Sequence, residues 1–121
     1  MMKLAAYSVD GTQFWGAVSD AGMIALSPEF PAWSTLSDVA AAGALDDVAR
    51  AAEGRAVTHA NGTYSWDMPL PHPEKIICVG VNFPDRNAEY KDGQEAPPNM
   101  SLFIRFARSF VGHDAPILRP P

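Results

Sequence analysis

Short apolar runs separated by glycine turns open the chain. Leu4 to Val9 predicts a strand, Gln13 to Val18 a second carrying Phe14 and Trp15, and Met23 to Leu26 a third. Asp10-Gly11 and Asp20-Ala21-Gly22 supply the turns between them, because glycine adopts positive φ at little cost. The expected assembly is a three-stranded antiparallel meander. Pro28 and Pro31 then interrupt the pattern. Thr35 followed by Asp38 reads as a helix cap, with Leu36, Val39 and Ala40 at helical spacing behind it. Gly43 is expected to break this helix. Ala44 to Glu53 predicts a second, with Leu45, Val48, Ala49 and Ala52 on one stripe and Gly54 as its stop.

The next stretch is polar. Val57 to Met68 is turn-rich around Asn61-Gly62, with Tyr64 and Trp66 alternating as in a half-buried strand. Pro69-Leu70-Pro71-His72-Pro73 excludes a helix and holds the chain extended. It marks the expected boundary between a small α+β domain, residues 1–68, and a second domain, residues 69–121. Lys75 to Val81 is nearly continuous apolar, which predicts a strand buried on both faces. Asn82 to Asp92 is polar and charged, Pro97-Pro98 is a turn, and Ser101 to Phe106 is a second apolar run. The chain trails into Arg119-Pro120-Pro121, so the second domain is expected to be incomplete. Taken alone, such a piece is expected to expose the strands around Ile77 and Phe103 and to need a partner.

Composition narrows the class. With 47% hydrophobic and 19% charged residues in 121, the chain is globular rather than disordered. Its net charge of −5 argues against a nucleic-acid partner, which needs a basic surface. Cys78 is the single cysteine, so no internal disulfide forms; within an apolar run it reads as a small hydrophobe. No apolar run is long enough for a membrane span, and Met1-Met2-Lys3-Leu4 has no signal-peptide pattern. The cytoplasm is the expected location.

No phosphate loop, dinucleotide fingerprint or G-x-S-x-G is present, and His59, His72 and His113 are too scattered for zinc spacing. The informative pattern lies later. Pro73 precedes Lys75-Ile76-Ile77-Cys78-Val79-Gly80-Val81-Asn82-Phe83, then Glu89. Pro97-Pro98, Leu102-Phe103-Ile104-Arg105, Ser109, Gly112, Pro116-Ile117 and Pro120 follow. In order and spacing this resembles the opening of the catalytic domain of the fumarylacetoacetate hydrolase family, and residues 1–68 look like the small N-terminal domain of such proteins.

The resemblance implies an α+β protein: an antiparallel sheet with helix, then the start of a mixed β-roll that forms homodimers. It implies a metal-dependent enzyme that hydrolyses a carbon–carbon bond in a dicarbonyl or oxo acid. Isomerisation, decarboxylation or dehydration are the alternatives, and a non-catalytic fragment that docks with a missing half is another. The metal, Mg²⁺ or else Mn²⁺ or Ca²⁺, is expected on ligands beyond residue 121, with none bound by this chain alone. No membrane partner is expected. Glu89 matches the acidic member of the family's His–Glu pair, which activates water. Its partner position holds Arg86, which stays protonated and cannot act as a general base. Arg86 instead suits a substrate carboxylate or an ion pair with Glu89. Arg105 stands where the family has Lys, placed for a carboxylate or simply pointing outward from a strand. Asn82 and Phe83 follow the apolar strand and are candidate substrate contacts; Phe83 lacks the hydroxyl of the family's Tyr. His113, in a loop, is a candidate replacement base.

Overall fold

A computed structural model describes residues 2–80 and 99–121. It divides into two compact units, Met1–Pro71 with Val111–Pro121, and His72–Phe110.

The first unit is built on the expected meander. Strands β1 (Leu4–Val9), β2 (Thr12–Ser19) and β3 (Gly22–Ala25) pair antiparallel, with Val9 opposite Thr12 and Ser19 opposite Gly22. The Asp10-Gly11 turn has positive φ at both residues, 48° and 79°, as a two-residue hairpin turn requires. Two short strands complete the sheet. β4 (His59–Ala60) joins β3 and β5 (Ser65–Asp67) joins β1, giving the order β4-β3-β2-β1-β5.

That order forces a curl. Four inter-strand spacings would separate β4 from β5 by about 19 Å in a flat sheet. The link from Ala60 to Ser65 reaches at most about 17 Å when fully extended. The outer strands must therefore swing toward each other, and the side chains report it. Tyr7 on β1 and His59 on β4 are separated by two strands in the sheet order, yet the Tyr7 hydroxyl lies 3.0 Å from His59 Nδ1. Tyr7, Phe14, His59 and Tyr64 pack ring to ring on this inner face, where Tyr7 and Met23 are fully buried.

The outer face carries Trp15 and Ala17 and is covered by two helices. α1 (Leu36–Ala41) starts at the expected capping box, with Thr35 and Asp38 each bonding the other's main-chain N–H. Gly43 (φ 65°) turns the chain and α2 (Leu45–Ala52) follows. Leu26, Val39 and Val48 are fully buried with Trp15 beneath this pair, and Trp15 Nε1 donates to the Trp33 carbonyl at 2.9 Å. Leu45, expected on the buried stripe, is instead half exposed. Ala44 and Val48, four residues apart, bury one face of the helix, and Leu45 lies beside that face rather than on it.

The described part of the second unit is an antiparallel ribbon, β6 (Ile77–Gly80) with β7 (Ser101–Ile104), pairing Ile77 with Ile104 and Gly80 with Ser101. The apolar run 75–81 predicted burial on both faces. Among the described residues it is not buried: Ile77 is 63% and Val79 51% exposed, beside Leu102 at 62% and Ile104 at 71%. By strand alternation these four share one face of the ribbon. The exposure agrees with the expectation for this stretch standing alone. The α+β class is as expected, an antiparallel sheet with helices.

Candidate functional site

The site expected from the sequence centres on the connection between β6 and β7. Asn82, Phe83, Arg86 and Glu89 lie outside the described residues. What is described is the framework on which that connection is hung. The Arg105 N–H donates to the Ile76 carbonyl at 3.2 Å, so the ladder continues one step past β7. Arg105 then shares a face with Phe103 and Cys78, opposite the apolar face. Its guanidinium carbon sits 5.6 Å from the Phe103 ring centre, and the residue is exposed. The aromatic face steadies the cation without neutralising it. Among the described residues no carboxylate pairs with Arg105, and a guanidinium's planar fork suits an anionic group.

His113 belongs to the first unit. It meets the edge of Trp66 at 5.7 Å and 90°, and its Nε2 is 3.3 Å from the Asp114 carboxylate. The side chain is 67% exposed. An exposed imidazole beside a carboxylate can hold or pass a proton. Arg105 and His113 therefore fall in different units.

Two polar features of the first unit escaped the sequence reading. A groove of about 200 Å³ is lined by Gln13, Phe14, Thr35, Asp67 and Pro69 among others, and the Ser8 hydroxyl donates to the Asp67 carboxylate at 2.5 Å. The β1–β5 pairing brings these two residues together across 59 positions, a contact that no local pattern encodes. The second is the Tyr7–His59 hydrogen bond. Burial pushes the Tyr7 hydroxyl up to about 12, with a smaller push from Tyr64, so it stays neutral at physiological pH.

Among the described residues no three His, Cys, Asp or Glu side chains converge as metal ligands, so the metal that the resemblance implies does not fit them. Among the same residues no helix is long and apolar enough to cross a membrane.

Comparison with known proteins agrees on where the signal lies. Residues 75–121 match the family model described as fumarylacetoacetate (FAA) hydrolase C-terminal. A Rattus norvegicus protein, "Oxaloacetate tautomerase Fahd2a, mitochondrial", is 38% identical over 53 residues, 44% of this chain and 16% of its own length. A Xenopus laevis protein, "Oxaloacetate tautomerase fahd2, mitochondrial", is 40% identical over 52 residues, 43% of this chain and 16% of its own. The chain thus spans about one-sixth of the curated relatives it matches. No solved structure matches. Through residues 75–121, the chain is similar to the fumarylacetoacetate hydrolase family.

Proposed function

We propose that the protein carrying this chain is an enzyme of that family which interconverts the keto and enol forms of a small oxo acid. The agreement over residues 75–121 with two relatives named oxaloacetate tautomerases carries the reading. Arg86 supports it from the sequence: a guanidinium cannot activate the water that carbon–carbon hydrolysis needs, whereas tautomerisation moves one proton from carbon to oxygen and consumes no water. Carbon–carbon hydrolysis, decarboxylation and dehydration remain the alternatives.

Each residue then has a task. Arg105 grips the substrate carboxylate with its exposed fork. Glu89 carries the proton. Arg86 pairs with Glu89 or holds a second carboxylate. Asn82, Phe83 and His113 complete the pocket, Phe83 by its ring alone. The divalent metal, Mg²⁺ or a similar hard cation, is assigned to residues outside those described. The catalytic domain is a mixed β-roll, and the whole protein a homodimer.

The test uses the whole protein. Enol absorbance of oxaloacetate is followed with and without chelator, and acylpyruvate cleavage is assayed in parallel. Accelerated loss of enol that chelation abolishes and Glu89→Gln impairs is the expected result. Cleavage of the acylpyruvate would move the assignment to hydrolysis. Metal-independent activity, or an undiminished Glu89→Gln variant, would overturn it. Fractionation tests the cytoplasmic placement, since both relatives are named as mitochondrial.

The exposed face of Ile77, Val79, Leu102 and Ile104 favours a second reading, in which this chain acts only when docked onto further protein. A monodisperse monomer that melts cooperatively would refute it.

A further inference from the structure

The turn Ala60-Asn61-Gly62-Thr63 begins the link that carries the chain from β4 to β5 across the mouth of the curled sheet. Thr63 closes it: its N–H donates to the Ala60 carbonyl at 3.2 Å and its hydroxyl to the same oxygen at 2.8 Å. Gly62 has φ 85°, a conformation that favours glycine. Asn61 is exposed, yet its carboxamide is held at both ends. Nδ2 donates to the Asp20 carbonyl at 2.8 Å, and Oδ1 accepts from the Tyr64 hydroxyl at 3.0 Å. The Asn61 main-chain N–H donates to the Ala21 carbonyl at 3.2 Å. One residue thus fastens the link to the β2–β3 turn.

An asparagine followed by glycine is chemically vulnerable, because no Cβ shields the next main-chain nitrogen. The Gly62 nitrogen, losing its proton, bonds to Asn61 Cγ. The Cγ–Nδ2 bond breaks and that nitrogen leaves as ammonia. Water then opens the cyclic imide at either carbonyl, giving aspartate or isoaspartate. The balance is one water taken up and one ammonia released. For the attack, Cγ must swing onto the Gly62 nitrogen, and the two side-chain contacts oppose that motion.

We propose that Asn61 is a deamidation site whose rate is restrained by the Tyr64 and Asp20 contacts, and that its conversion unfastens β4 from the sheet. The product carboxylate has no N–H for the Asp20 carbonyl, so acceptor faces acceptor. Isoaspartate also adds a main-chain carbon, which misplaces the Thr63–Ala60 bonds. β4 pairs with the sheet through two residues, and its other anchor is the His59 ring against Tyr7 and Phe14, so the Asn61 contacts are a substantial share of what holds it.

The test is a time course at neutral pH, read by peptide mass spectrometry at position 61. Native protein should convert more slowly than the same chain in denaturant. Tyr64→Phe should accelerate native conversion about fivefold, the rate equivalent of one ordinary hydrogen bond. Thr35→Ala, which removes the α1 cap and none of the Asn61 contacts, should leave the rate unchanged. Equal rates for native and unfolded chains, or equal acceleration by both substitutions, would overturn the restraint. The converted form, separated by its added negative charge, should show faster hydrogen exchange at the Thr58 and Asn61 amides, which donate to Met23 and Ala21. Unchanged exchange there would overturn the unfastening.

Discussion

Replacing Gly16 with alanine tests the tightest approach in the sheet. Gly16 lies in the middle of β2, opposite Ala5 on one side and Ala25 on the other. An added Cβ would lie 2.9 Å from the Ile24 carbonyl carbon and 3.2 Å from Ala25 Cα, and nearer still to the Ile24 carbonyl oxygen. All three atoms are main chain, so no side-chain rotation relieves the clash. β3 must shift, and it leads directly into Leu26, which is fully buried and bonded to the Trp15 carbonyl at 3.1 Å. Overpacking a close-packed interior costs about 1–3 kcal/mol, and a forced main-chain shift places this case near 3. Gly11→Ala is the control. Its Cβ meets nothing within 4 Å, but φ is 79°, so it carries only left-handed strain, about 1–2 kcal/mol. Urea denaturation followed by tryptophan fluorescence, to which the buried Trp15 contributes, reads both variants. Gly16→Ala should be the less stable by about 1–2 kcal/mol, the difference of the two costs. If it is as stable as Gly11→Ala, the packing argument is wrong.

Other outcomes follow from the same structure. The unfolded chain ionises tyrosine near 10, whereas Tyr7 resists until about 12, so its contribution to stability is intact below pH 10 and is lost as pH rises from 10 to 12. Tyr7→Phe should lack that part of the slope in alkaline melting curves; parallel slopes would refute the burial argument. Val39→Ala, at a fully buried position between helix and sheet, should lose about 1–3 kcal/mol in the same urea assay. Thr35→Ala removes the capping box of α1 and should cost about 1 kcal/mol. On the proposed function, Arg105→Gln in the whole protein should raise KM for the oxo acid about 10–100-fold, the loss of a charged hydrogen bond, with Arg105→Lys in between; an unchanged KM would remove Arg105 from the proposed site.

How much could be read from the chain depended on the range of the interaction. The meander, the Asp10-Gly11 turn, the Thr35–Asp38 cap and the break at Gly43 were legible because each is set within a few residues. The position of β5 beside β1 was not, since Ser65–Asp67 must pair with residues far upstream. The curl depends on that pairing, and so do the Ser8–Asp67 bond, the burial of Tyr7 and its contact with His59. The apolar run at β6 misled about burial because periodicity reports which residues can be covered, and covering takes a second layer. For the site, the family pattern pointed to residues by type and spacing. Only Arg105 and His113 of that set have described surroundings, and the pairing of Arg105 with the Phe103 ring came from strand alternation that the sequence already held.

The strand order also bears on how the first unit assembles in time. β1, β2 and β3 meet through two-residue turns, so their pairing requires little loop closure. Docking β5 onto β1 joins residues 59 apart, which costs about 1.5 kcal/mol more in chain entropy than closing a ten-residue loop. That docking is rewarded only when Tyr7 is already presented by the meander. The hairpins should therefore form early, as a nucleus, with β5 arriving last. Substitutions at Trp66 would then speed unfolding and leave refolding nearly untouched, whereas substitutions in the β1–β2 hairpin would slow refolding.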